Sequence, residues 1–135
     1  MKKLLIFCFL ICLLSSCLEK LDPAKLKNTT WELTELTGKT LPENAKATLN
    51  FGDSLNVTGK SFCNNYGGKA EMSDGKVSLK NIYGTKMMCQ ETASEENAFL
   101  TALNETDNAK LVDGQLKLFK GEQTLLVFKK VNSTN

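Results

Sequence analysis

From Thr29 onward, apolar and polar residues alternate in short runs separated by Gly, Asp and Asn, the period of two that marks β-strands. Turn chemistry fixes how the runs pair. "KAEMSDGKVSLKN" carries Asp74-Gly75 between two alternating runs, the strongest short signal of a two-residue hairpin. Such a turn sets Met72 against Val77 and Ala70 against Leu79, which gathers the apolar side chains on one face; a slip of one residue would scatter them. "AKLVDGQLKL" repeats the device at Asp113-Gly114 and sets Leu111 against Leu116 and Ala109 against Leu118. "LKLFKGEQTLLVFKKV" turns at Gly121-Glu122, with glycine first as a type II′ turn prefers, and predicts Leu118 opposite Leu125 and Leu116 opposite Val127. That register puts Leu126 and Phe128, and Phe119 on the neighbouring strand, on a second face. Upstream, a three-residue loop from Gly52 to Ser54 predicts Phe51 opposite Leu55 and Leu49 opposite Val57. "TTWELTEL" opens the body with Trp31 and Leu33 on one face. Leu36 breaks the alternation, which predicts a bulge or strand end near Glu35.

One segment changes period. In "ETASEENAFLTALNET", Phe99, Ala102 and Leu103 form an i, i+3, i+4 stripe. Thr92 with Glu95 three residues later reads as a capping box, and Glu95 and Glu96 suit the positive end of a helix dipole. These signals predict a helix over 93–104. The expected fold is α+β and mostly β: about eight antiparallel strands in a meander curling into a barrel-like sheet, with one helix inserted after the fifth strand.

Ahead of this body, "MKKLLIFCFLICLLSSCLEK" has Lys2 and Lys3 before an apolar run from Leu4 to Leu14. The run is shorter than the ~20 residues a spanning helix needs and has the proportions of a secretory signal peptide. Leu14-Ser15-Ser16-Cys17 resembles the bacterial lipobox, in which cleavage before the cysteine leaves its thiol carrying a diacylglycerol. The expected organisation is a lipoprotein signal peptide over 1–16, a lipid-anchored tether over 17–28 and a globular domain over 29–132. Cys17 would hold the protein to a membrane, since each buried methylene adds about 0.8 kcal/mol of affinity. Leu18 is not the aspartate that, in enteric sorting, retains lipoproteins at the inner membrane, so an outer-membrane location in the cell envelope is expected, in either leaflet.

Composition narrows the chemistry. The chain has 17 Lys+Arg, all of them lysine, against 15 Asp+Glu, and no histidine. Removing Lys2 and Lys3 leaves a formally neutral mature chain. Neutrality speaks against a nucleic-acid partner, whose binding draws on a basic stripe. The lack of histidine excludes a Ser-His-Asp or Cys-His relay and any imidazole metal site. No cofactor or metal is expected. Of five cysteines, Cys8 and Cys12 leave with the signal peptide and Cys17 is lipidated. Cys63 and Cys89 remain, and two thiols in an oxidising compartment are most simply a disulfide. A catalytic thiol helped by Lys60 or Lys69, a two-thiol metal site and a pair of buried reduced thiols are the alternatives. Met87 and Met88 read as core filling, and Tyr66 and Tyr83 as packing at the edge of the core. Asn64 and Asn65 read as turn residues.

"FCNNYGG" resembles the Gly-Cys-Asn-x-aromatic-x-Gly signature of the META domain, or HslJ-like, family. "TKMMC", Thr85 to Cys89, is similar to the family's Thr-x-Met-x-Cys element, and "NAFLTAL" to the helix that follows it. "TWEL", "TLNF" and "VTG" fall in the family's order upstream. The resemblance spans roughly 26–131 and points to Asn64, Tyr66, Gly68, Thr85 and Met87, beside the two cysteines, as family-motif positions. Phe62 stands where the family has glycine, which leaves Gly67 and Gly68 to carry the unusual backbone dihedrals. The resemblance implies a small barrel-like domain with a helix, on secreted and lipid-anchored bacterial proteins, and no enzymatic activity. The expected function is a non-catalytic envelope module that binds a protein partner or supports envelope stress tolerance. A peptidase inhibitor presented on the outer membrane is the alternative, using "GKTLPENAK" around Pro42 or "NIYGTKMM" around Tyr83. An enzyme acting on envelope polymers is the third.

Overall fold

The computed structural model describes residues 20–132. Its strands are β1 (Thr29–Leu36), β2 (Thr48–Phe51), β3 (Asn56–Ser61), β4 (Asn64–Ser73), β5 (Lys76–Gly84), β6 (Asn108–Val112), β7 (Gln115–Lys120) and β8 (Gln123–Val131). One helix, α1 (Ala93–Glu105), follows β5. The eight strands form one antiparallel sheet in the order β5-β4-β3-β2-β1-β8-β7-β6, curled into a half-barrel. The edge strands β5 and β6 approach one another without pairing, and α1 packs on β5, β3 and β8. Phe99 of α1 is fully buried, with edge-to-face contacts to Phe62, Tyr66 and Phe128 at 5.9, 5.7 and 6.4 Å between ring centroids. Such pairs add ~0.5–1.5 kcal/mol each beyond their burial.

Both Asp-Gly turns form as the sequence predicts. Asp74 and Gly75 take φ of 53° and 75°, Asp113 and Gly114 take 52° and 76°, and Met72 pairs Val77 while Leu111 pairs Leu116. The bulge on β1 falls between Leu33 and Glu35. Two registers differ. Phe51 pairs Val57 rather than Leu55. Leu55 takes a left-handed φ of 59° and closes the turn itself, so pairing shifts by two. A shift of two leaves every side chain on its face, and Leu49, Phe51 and Val57 are all buried. In the last hairpin, Lys120 pairs Gln123 as the Gly121 turn requires, but a bulge follows, and Leu118 pairs Leu126 while Leu116 pairs Phe128. Leu125 is the extra residue. Leu126 and Phe128 therefore join Leu116 and Leu118 in the core instead of occupying a second face.

The segment expected to be a tether is in part structural. Leu21 and Leu26 are buried in the core, and a 3-10 turn over Pro23–Lys25 starts from Asp22, whose carboxylate accepts from the Ala24 amide at 2.9 Å. The folded body thus begins near Leu21. The signal peptide and Cys17 lie outside the described residues. No helix among the described residues is long and apolar enough to cross a membrane.

Candidate functional site

The cysteine loop sits at the end of the sheet where β3 turns into β4. Phe62 and Cys63 make that turn, and Phe62 carries it with a left-handed φ of 71°. This corrects the expectation for Gly67 and Gly68, neither of which has positive φ. Those glycines serve close approach instead: a Cβ at Gly67 would fall 2.8 Å from the Tyr83 hydroxyl, and one at Gly68 would fall 2.6 Å from Ile82 Cδ1. Phe62 accepts an unfavourable backbone because its ring is buried against Phe99. Cys63 is bonded to Cys89 across a Cα–Cα distance of 6.2 Å, which pins the loop after β5 to this turn.

Asn64 organises the rest of that loop. It opens β4 and is almost fully buried. Its Oδ1 accepts from the Met87 amide at 2.7 Å and from Thr85 Oγ1 at 2.9 Å. Its Nδ2 donates to the Met87 carbonyl at 3.2 Å and to Glu96 Oε1 at 2.7 Å. The same Glu96 oxygen accepts from Ser61 Oγ at 3.0 Å, so one carboxylate ties α1 to β3 and β4. Asn64 therefore acts through its side chain and not as a turn residue. The capping box is absent: Thr92 precedes α1 but makes no side-chain cap, and its hydroxyl has no partner among the described residues. The carboxylate with structural work is Glu96, one position beyond the predicted one. Its partners are 32 and 35 residues away in sequence, so no local spacing marks it, or Ser61.

The structure thus brings Asn64, Thr85, Met87, Cys63 and Cys89 together. Tyr66 lies deeper, with its hydroxyl donating to the Thr48 carbonyl at 2.6 Å, and burial pushes its phenol far above the ordinary value. Met87 and Met88 are not core residues. They are 59% and 91% exposed, and Tyr83 is 71% exposed. The loop runs outside the sheet with the Met87 amide and carbonyl bonded to Asn64, and these side chains face water. Tyr83 and Met87 border a groove of about 500 Å³ between the end of β5 and α1, whose lining also includes Ile82, Glu96, Asn97 and Leu100. β5 is an edge strand, so its outer backbone faces no neighbouring strand.

Chemically, this arrangement presents apolar side chains to solvent on an ordered backbone. Both thiols are joined in the disulfide. The Glu96 oxygen holds two donors. Among the described residues, no group of three or more His, Cys, Asp or Glu gathers as a metal site would.

Comparison with known proteins agrees with this architecture. The chain is 28% identical to the heat shock protein HslJ of Escherichia coli (strain K12) over 132 residues, covering 93% of this chain and 94% of that protein. It superposes on the NMR structure of a protein from Burkholderia xenovorans with a TM-score of 0.66 at 27% identity, covering 80% of this chain and 85% of the other. A second NMR structure gives a TM-score of 0.65 at 26% identity, covering 81% and 94%. The family model described as META domain matches residues 24–133, which include the stapled turn, the Asn64 network and α1, and the chain accordingly belongs to the META domain family.

Proposed function

We propose that this chain is a lipid-anchored, non-catalytic module of the cell envelope that binds a protein partner through its stapled end. The observation that carries the reading is the exposure of Tyr83 and Met87 beside one groove, with Met88 exposed next to Met87 in the chain, on a backbone fixed by a disulfide and by Asn64. Clustered apolar side chains in water mark contact surfaces. Tyrosine and methionine suit such surfaces, the first as a rigid amphipathic anchor and the second as an adaptable one. The anchoring half of the reading rests on Leu14-Ser15-Ser16-Cys17, and its outer-membrane destination on Leu18 after that cysteine.

The test uses the full chain in the intact envelope. Replacing Tyr83, Met87 and Met88 together with serine should abolish the crosslink to a specific envelope protein. Thermal stability should hold, since exposed changes shift it within ~0.5 kcal/mol. Retention of the same crosslink would overturn the assignment of this surface. Cys17→Ala should lose the acyl chains and leave the membrane fraction; that variant remaining firmly in the membrane pellet would overturn the anchor. Turnover of an envelope polymer, lost on changing one acidic residue without unfolding, would overturn the non-catalytic role.

A narrower form of the same reading is a peptidase inhibitor. The feature that favours it is the stapled Thr85–Cys89 loop, because a loop ordered before binding loses less entropy in a cleft. Inhibition of one co-resident peptidase, abolished by the Met87 and Met88 changes, would select it.

A further inference from the structure

We infer that the opposite end of the half-barrel lies against an anionic bilayer, with Lys27 and Lys130 contacting lipid phosphates there. The inference rests on the anchoring reading above and adds an orientation to it.

The strand registers define two ends. Ser61 pairs Asn64, Thr48 pairs Glu32 and Lys120 pairs Gln123 at the end that carries the disulfide. Ser73 pairs Lys76, Val112 pairs Gln115 and Thr30 pairs Val131 at the other. The chain enters the fold at this second end. Lys20 lies along Gly75 of the β4–β5 turn, and Leu21 is already buried. Only Leu18, Glu19 and Lys20 separate Cys17 from Leu21. At full extension the four steps from Cys17 to Leu21 reach ~14 Å. An acyl group on Cys17 can therefore sit in a bilayer only if this end of the body rests close to its surface.

Charge at that end is mixed, with Asp22, Asp53, Asp74 and Asp113 among the lysines, but one groove there fits an anionic surface. A groove of about 520 Å³ there is lined by Lys25, Lys27, Lys130, Trp31, Leu111 and Gly114 among others, and no carboxylate lines it. Two acids lie near it in sequence. Asp22 accepts from the Ala24 amide, and Asp113 sits in the β6–β7 turn. Juxtamembrane lysines each favour an anionic leaflet by roughly fivefold in local equilibrium. The nine residues of β5 then hold Tyr83, Met87 and Met88 roughly 20–30 Å from the membrane, clear of the headgroups.

The experiment reads native lysines. Full-length protein, with acylation of Cys17 confirmed by intact mass, is reconstituted into vesicles of phosphatidylethanolamine with 30% phosphatidylglycerol, and in parallel into phosphatidylcholine. An amine-reactive reagent is applied from the protein's side, and acylation is followed site by site by mass spectrometry. Lys27 and Lys130 should react roughly fivefold more slowly in the anionic vesicles than in the neutral ones, while Lys60 and Lys86 at the stapled end are unchanged. In the Lys27→Gln/Lys130→Gln double variant, the remaining difference at Lys25 should shrink toward unity. Relative to the same protein in detergent, equal slowing at both ends, or no slowing at Lys27 and Lys130 in either vesicle type, would overturn the orientation while leaving the anchor intact. An unmodified Cys17 in membrane-derived protein would instead remove the anchor on which the orientation depends. Slowing at Lys27 and Lys130 that is the same in both vesicle types would keep the orientation and overturn the phosphate contacts.

Discussion

Phe62 sets two physical effects against each other, and their sizes can be separated. A non-glycine residue at φ 71° is held in a left-handed conformation that costs roughly 1–2 kcal/mol relative to glycine. The ring offsets this by burial, being only 5% exposed and edge-on to Phe99. Removing a buried phenylalanine costs about 3–5 kcal/mol. Packing wins, so Phe62→Gly should destabilise the protein by roughly 2–4 kcal/mol even though glycine adopts that dihedral freely. The informative comparison is with Phe62→Ala, which loses the same ring but keeps a Cβ. At an ordinary position alanine is more stable than glycine by ~0.5–1 kcal/mol. Here the order should invert, with Phe62→Gly more stable than Phe62→Ala by about 1 kcal/mol. Urea unfolding with the disulfide intact measures this as a midpoint higher by roughly 0.5–1 M for the glycine variant. If either variant lacks a native baseline, both are measured in sucrose, which strengthens burial equally. Equal midpoints, or alanine above glycine, would refute the claim that the ring holds the turn against backbone strain.

Two further perturbations test the ties around this end. Asn64→Ala removes four hydrogen bonds, leaves the Met87 amide without its acceptor and leaves the Glu96 carboxylate with Ser61 alone; it should cost about 2–3 kcal/mol in urea unfolding and speed hydrogen exchange at the Met87 amide well beyond the global effect. Glu32 is held below its ordinary value of 4.5 by hydrogen bonds from Lys129 and then Lys46, so its contribution is present at neutral pH and lost as pH falls through 4.5 and on through the lowered folded value. Glu32→Gln should therefore lower the melting temperature near pH 6 slightly, since the paired lysines are largely exposed, and its curve should converge with the native one toward pH 2.

What the sequence made legible follows from where each feature is decided. Asp74-Gly75 and Asp113-Gly114 demand left-handed dihedrals at two adjacent positions, a local requirement, and their registers could be read directly. The bulge in β1 was legible because Leu36 visibly breaks an alternation. The bulge at Leu125 was not, because Leu125 to Phe128 are all apolar and a run without alternation specifies no face. Only packing against Leu116 and Leu118 chooses Leu126 and Phe128. The Asn64 network was hidden for a different reason. Asn64 could be singled out from the family motif, but its partner Glu96 is indistinguishable in sequence from any acid in a first helical turn. Met87 and Met88 were misplaced because hydrophobicity alone cannot show that a loop's backbone is satisfied by a side chain and so never enters the core.

That same satisfied backbone explains how the stapled end can keep apolar side chains in water. A loose loop carrying two methionines and following a tyrosine would collapse onto the nearest apolar surface and would have to be reordered by any partner. Fixing a residue's backbone costs ~1–2 kcal/mol, so ordering the five residues from Thr85 to Cys89 at the moment of binding would consume much of a modest interface energy. Here Asn64 accepts from the Met87 amide, the Thr85 amide donates to the Asn65 carbonyl, and the disulfide holds Cys89. The ordering is completed on folding. What stays adaptable is the methionine side chains, which adjust to a partner's shape at little backbone cost. A surface with a fixed backbone and yielding side chains favours a contact with well-defined orientation and tolerance in its apolar fit.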